Sequence, residues 1–180
     1  MADWERTLDA LVRDRGPALV RHAYLLTGDT AAAEDLVQDA IVATFVRRAQ
    51  VRDERAAEAY VRRAILTTFL DGHRRAVRFR SVRHLLLRDE QHDGPESAVS
   101  DRDAVTEALR TLAPRVRACV VLRFYDDLPI ADVAEQLGLS VGAVKRYLSD
   151  GTRALEVALG PLRAPVDDDL HDVTATRGQS

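Results

Sequence analysis

The chain reads as an all-α protein of two small helical domains joined by a flexible acidic linker, the second domain ending in a helix-turn-helix. Three observations predict this class. Hydrophobic residues make up 46% of the 180 residues but aromatics only 5%, and long runs of the strand-favouring Val, Ile and Thr are missing. Apolar residues recur instead at three- and four-residue spacing, the period of a helix face. The stretch Arg88 to Ser100, RDEQHDGPESAVS, is acidic and holds Gly94-Pro95, the composition of a linker between folded units. The domains are accordingly placed at residues 1–84 and 101–163, with the linker at 85–100 and a disordered acidic tail at 164–180.

Taken in order, Trp4, Leu8, Leu11 and Val12 give a first amphipathic helix. Gly16-Pro17 is expected to stop it and start the next, since proline fits a first turn. Leu19, Val20, Ala23, Tyr24 and Leu26 are the apolar set of that next helix, which Gly28 ends. Asp29 or Thr30 then caps a long helix from Ala31 to about Ala49, whose inward stripe is Ala33, Leu36, Val37, Ala40, Ile41, Thr44 and Phe45. Glu34, Asp35, Gln38 and Asp39 crowd its outer side. That face is either a solvated one, helped by acids near a helix N-terminus, or a docking surface for a basic partner.

After a polar break at Val51 to Glu54, a helix is predicted from about Arg55 to Val82 with Tyr60, Val61, Ala64, Ile65 and Phe69 inward. Gly72 weakens it by roughly 1 kcal/mol against alanine. Beyond Gly72 come His73, Arg74, Arg75, Arg78, Arg80 and Arg83 with Phe79 among them. Cations interleaved with an aromatic suit a surface that tracks phosphates; a plain solvated basic face is the alternative. Leu85 to Leu87 form a last turn or part of the linker.

In the second domain a helix begins near Asp101 or Asp103 and carries the apolar pattern Thr106 to Leu112. Pro114 starts another, with Val116, Cys119, Val120, Leu122 and Phe124 inward, and Asp126 and Asp127 are placed near the positive end of the following helix. Pro129 to Leu148, PIADVAEQLGLSVGAVKRYL, reads as helix, tight turn, helix. Ile130, Val133, Ala134 and Leu137 make one stripe; Gly138 supplies the left-handed stop; Ser140 caps the second helix. In that second helix Val141, Val144, Leu148 and Leu155 face inward. Gly142, Ala143, Lys145, Arg146 and Ser149 face out, small residues first and cations after, the layout of a helix that enters a DNA major groove. An ordinary helical hairpin is the alternative.

Formal net charge is −3, which suits a DNA binder poorly until it is localised. Arg62 to Arg83 holds seven arginines and one acid, Asp71. Phosphate affinity follows the cations that neutralise phosphates rather than net charge, so weak DNA binding alone and stronger binding beside a partner are expected. The single cysteine, Cys119, excludes an internal disulfide framework and is placed as a buried thiol. No apolar stretch reaches the length of a membrane span, and the charged N-terminus is no signal peptide, so a cytoplasmic location without membrane insertion is expected. His22, His73, His84, His92 and His171 are dispersed, no metal-ligand spacing occurs, and the nine glycines form no phosphate loop. Neither a cofactor nor a catalytic constellation is predicted: the chain is not expected to be an enzyme.

Three segments, in this order, resemble a known family. AYLLTGDTAAAEDLVQDAIVATF (Ala23 to Phe45), AYVRRAILTTFLDGHRR (Ala59 to Arg75) and LPIADVAEQLGLSVGAVKRYLSDGTRAL (Leu128 to Leu155) look like regions 2 and 4 of a bacterial RNA polymerase sigma factor of the extracytoplasmic-function (ECF) type, in the sigma-70 superfamily. The resemblance covers roughly residues 5–160 and implies a factor that binds core RNA polymerase and directs promoter-specific initiation. It implies that Glu34, Asp35, Gln38 and Asp39 dock on the core enzyme. Thr67, His73, Arg74, Arg75 and Arg78 would capture and melt the −10 element, and Ser140, Gly142, Ala143, Lys145, Arg146 and Ser149 would read −35 duplex DNA. Implied partners are core RNA polymerase, promoter DNA and an anti-sigma factor, with the free chain a monomer. Asp150 stands where relatives carry a basic residue. The competing readings are a stand-alone helix-turn-helix regulator and, more remotely, a nucleic-acid enzyme, which would need a metal cluster or a nucleophile dyad.

Overall fold

A computed structural model describes residues 3–46, 54–83 and 101–160. Among these the chain is helical throughout: α1 (Asp3–Thr27), α2 (Thr30–Val46), α3 (Glu54–Arg83), α4 (Asp101–Arg110), α5 (Pro114–Phe124), α6 (Ile130–Leu137) and α7 (Val141–Leu159). The expected linker at 85–100, Leu85 to Leu87 within it, and the expected tail at 164–180 lie outside the described residues.

Helices α1, α2 and α3 pack on one another as one group, and α7 lies across α4, α5 and α6 as a second. The first group is built mostly on the stripes the spacing predicts, with Ala57 added on α3. Leu11, Leu19, Ala23 and Leu26 of α1, Ala33, Ala40 and Phe45 of α2, and Ala57, Val61 and Ile65 of α3 are buried together. Asp29 caps α2: its Oδ1 accepts from the Ala32 amide at 2.7 Å, satisfying one donor that the first turn leaves open.

Four placements differ from expectation. Gly16-Pro17 does not divide α1, which runs unbroken with Pro17 inside it. An internal proline costs about 3 kcal/mol. Leu11 before it and Leu19 and Leu26 after it are all fully buried on one face against α2 and α3, each contributing about 1.5–3 kcal/mol, so continuity wins. Tyr60 is 41% exposed rather than inward. The buried row is Ala57, Val61 and Ile65, spaced by four, and Tyr60 lies one step of about 100° off it. Phe124, the last residue of α5, and Val141, the first of α7, are also largely exposed. Each stands at a helix end, past the stretch its neighbours cover.

The second group closes tightly. Gly151 of α7 is buried against α5, where a Cβ would stand 2.7 Å from Val120 Cγ2 and 3.0 Å from Val116 Cγ1. Cys119 is fully buried as expected, and burial pushes its thiol up to about 11.

The two groups also touch. Helix α1 meets α4 and α5, and α3 meets α5, so α5 is covered on both sides. That accounts for the burial of Arg117, Ala118 and Val121 along with the expected Cys119, Val120 and Leu122.

Candidate nucleic-acid interface

The turn between α6 and α7 is made by local chemistry. Gly138 takes the left-handed conformation, φ 61° and ψ 42°, which a side chain would disfavour. The Leu139 amide donates to the Ala134 carbonyl at 2.9 Å and the Gly138 amide to the Glu135 carbonyl at 3.2 Å, the paired bonds that close a helix C-terminus. Two residues on, Ser140 Oγ accepts from the Ala143 amide at 3.2 Å and opens α7. Val133, Ala134, Val144 and Leu148 are buried where the helices cross.

That packing leaves the N-terminal half of α7 outward. Gly142, Arg146 and Ser149 are exposed, and Ala143 and Lys145 are half-buried. Arg146 lies with its guanidinium 5.4 Å from the Tyr147 ring centroid, a cation–π contact that holds a long side chain without neutralising it. Asp150 is exposed on the same helix. Ser140 is exposed, with its hydroxyl engaged in the cap.

The outer face of α2 carries Glu34, Asp35, Gln38 and Asp39, all exposed, one above another at spacings of three and four. Val42 and Val46 continue that side, 56% and 74% exposed. On α3, Thr67, His73, Arg74, Arg75 and Arg78 are exposed. The Thr67 hydroxyl donates to the Arg63 carbonyl at 2.9 Å, Arg74 pairs with Asp71 at 3.2 Å, and Arg78 Nε donates to the Arg74 carbonyl at 3.4 Å. Gly72 sits within the uninterrupted helix. The predicted site residues thus form three separate faces on three helices, not one pocket. Among the described residues no group of three or more His, Cys, Asp and Glu side chains converges as a metal site.

Sequence reasoning passes over the residues between the groups. Arg117 Nη1 donates to the Leu26 carbonyl at 2.5 Å, and Nη2 to the carbonyls of Arg110 at 2.7 Å and Leu112 at 3.3 Å. One guanidinium therefore serves the open carbonyls at the C-terminal ends of α1 and α4, where helix dipoles are negative. Its carbon lies 5.9 Å from the Phe69 ring centroid on α3. Burial, and then the charge of Arg110, lower its pKa from the usual value. Asp126 does not cap α6, whose N-cap is Pro129. It turns back instead to accept from His22 Nδ1, with His22 fully buried and 3.0 Å away, and from Arg62 Nη1 at 2.5 Å. Arg62 also pairs with Glu58 at 3.0 Å, and Glu58 with Arg15 at 3.3 Å. Asp127, at φ 52°, pairs with Arg123 at 3.3 Å. The one signal for Arg117 is an arginine inside the apolar run Val116 to Leu122.

Comparison with known proteins converges on one family. The family model described as Sigma-70 region 2 matches residues 11–79, and Sigma-70, region 4 matches residues 102–155. The chain is 36% identical over 137 residues to the RNA polymerase sigma-E factor of Streptomyces avermitilis, covering 76% of each chain. It is 32% identical over 161 residues to the ECF RNA polymerase sigma factor SigL of Mycobacterium tuberculosis, covering 85% of this chain and 89% of that one. Among solved structures, the sigma factor RpoE in complex with the anti-sigma factor NepR from Bartonella quintana superposes with a TM-score of 0.65 at 21% identity, over 88% of this chain and 98% of that one. The all-helical fold with a helix-turn-helix in its second group is the fold of a sigma-70-type transcription factor, and the chain belongs to that family, in its ECF branch. It is thereby an RNA polymerase sigma factor that directs transcription initiation, a class of transcription factor and not of enzyme. No helix among the described residues is long and apolar enough to cross a membrane.

Proposed function

We propose that this chain binds core RNA polymerase through the acidic outer face of α2 and reads a promoter with two other helices. Glu34, Asp35, Gln38 and Asp39 present carboxylates and an amide to a basic helical partner, an arrangement that steers association. Thr67, His73, Arg74, Arg75 and Arg78 of α3 engage the −10 element, the cations holding the strand backbone while a base leaves the stack at a cost of a few kcal/mol. Ser140, Gly142, Ala143, Lys145, Arg146 and Ser149 of α7 read −35 duplex DNA. The observation that carries this reading is α7 itself. Its N-terminal half is capped by Ser140, has no bulky side chain at Gly142, and bears Lys145 and Arg146 beyond a buried crossing. The functional domains are residues 1–84 and 101–163. An anti-sigma partner follows by likeness to the Bartonella quintana complex, and the cytoplasm is the place of action.

Run-off transcription with sigma-free core polymerase, on a template carrying the stretch upstream of this chain's own gene, tests the proposal. A discrete start is expected with the chain and none without it. Lys145→Glu is expected to lower the yield at least tenfold, since a good base contact is worth about 1–3 kcal/mol. Core binding is scored in parallel; full transcription by Lys145→Glu would remove α7 from promoter reading.

A further inference from the structure

We propose that Asp150 of α7 is a base-reading residue and makes a cytosine part of the −35 sequence this chain selects. This rests on the assignment of α7, proposed above, as the helix that enters the −35 major groove.

The placement of Asp150 follows from the buried side of the helix. Val144, Leu148, Gly151 and Leu155 are buried, and at about 100° per residue they centre on one direction. Arg146 and Arg153 stand within about 10° of the opposite direction, Ser149 and Asp150 flank them at about 50° on either side, and Lys145 lies further round at about 90°. Burial agrees. Arg146, Ser149, Asp150 and Arg153 are exposed, and Lys145 is half-buried. Asp150 therefore belongs to the outward face as fully as Ser149 does. Its neighbours Ser149 and Ala154 are small, which lets a short side chain approach a base edge.

The carboxylate is also uncommitted. Arg146, four residues earlier, is in position to pair with it, yet its guanidinium lies over the Tyr147 ring, 5.4 Å from the centroid. Among the described residues Asp150 makes no ion pair.

Chemistry then selects the base. A carboxylate only accepts hydrogen bonds, and the phosphates along both walls of the groove repel it. It is favourable only where a base edge offers a donor. In the major groove guanine shows two acceptors, and thymine an acceptor beside a methyl group. Cytosine shows its N4 amino donor, and adenine its N6 amino donor next to the N7 acceptor, which opposes a carboxylate. Asp150 thus favours cytosine, then adenine, and rejects guanine and thymine. A wrong base loses the bond and leaves the phosphate repulsion uncompensated, so the residue adds more to specificity than to affinity. Position follows as well. Asp150 stands about 6 Å beyond Arg146 along the helix, at 1.5 Å per residue, and base pairs stack about 3.4 Å apart, so the cytosine should lie within about two base pairs of the position Arg146 governs.

The test is selection of random-sequence duplexes by the full-length chain assembled with core polymerase, with core alone as background, for wild type, Asp150→Asn, Asp150→Ala and Arg146→Ala. Asp150 is exposed, so its substitutions leave the fold intact. Wild type should yield a motif in which one position is cytosine, enriched about tenfold over guanine and thymine. Asp150→Asn should move that position to adenine, whose N6 and N7 an amide pairs with. Asp150→Ala should level it, and both should leave the other positions unchanged. Arg146→Ala should level a different position close by. A motif with no cytosine preference, one that both Asp150 variants leave unchanged, or a cytosine remote from the Arg146 position would overturn the proposal while α7 still reads DNA. If wild type selects no motif at all, the assignment of α7 fails and Asp150 falls with it.

Discussion

Arg117 shows how much one side chain carries here. It donates to carbonyls at Leu26, Arg110 and Leu112. Arg117→Leu keeps the volume roughly but strips three carbonyls, two of them in buried bonds, of their charged donor, and hydrogen bonds to charged groups contribute about 1.5–3 kcal/mol. A loss of about 3 kcal/mol is expected, read as a fall of roughly 5–10 °C in Tm; an unchanged melting curve would refute the role. From the sequence Arg117 reads as one more exposed cation, because Val116, Cys119 and Val120 already account for an apolar face of α5. What buries it is the opposite face, covered by α1 and α3 from far along the chain. Asp126 escapes local reasoning in the same way. Its partners His22 and Arg62 lie 104 and 64 positions away, beyond anything local periodicity reports. By contrast the exposure of Glu34, Asp35, Gln38, Asp39, Arg146 and Ser149 follows directly from helical spacing.

At the scale of the element, the α6–α7 unit is legible because its determinants are adjacent in sequence. Gly138 must be left-handed and Ser140 must cap, and both do. Helix α1 is not, because the local rule for proline is outweighed by burial on both sides of it. Gly151 lies between these cases: a glycine in mid-helix reads as a weak point, yet the close crossing with α5 requires it. Gly151→Ala gains about 1 kcal/mol of helix propensity but drives a methyl into Val120 and Val116, both β-branched and slow to give way. Overpacking of this kind costs about 1–3 kcal/mol, so a net loss of up to about 2 kcal/mol is expected from urea denaturation. Equal or higher stability would mean that α5 shifts at little expense.

At the scale of the whole molecule, charge decides what the chain does alone. Net charge is −3, and α7 offers Lys145, Arg146 and Arg153 against Asp150 and Glu156. Each phosphate neutralised contributes about −0.9 to the slope of log affinity against log salt. The free chain on −35 duplex should therefore show a shallow slope of about −2 to −3 by fluorescence anisotropy. A slope steeper than about −6 would require a further basic surface on the DNA. Composition makes the two-domain plan readable, through the acidic, Gly-Pro-containing stretch before Asp101. It does not show that the two groups meet, since a handful of distant polar contacts leave no periodic trace.

The contacts that join the groups differ in what they recognise, and this bears on exchanging parts between related factors. Arg117 grips a main-chain carbonyl, which any helix ending near Leu26 would offer whatever its side chains. Asp126 needs Arg62 and His22 by identity. A hybrid that joins residues 101–160 to a foreign first domain would keep the generic grip and lose the selective one, so such grafts would fit together without being matched. Restoring the match would take two substitutions in the foreign half, at the positions of His22 and Arg62.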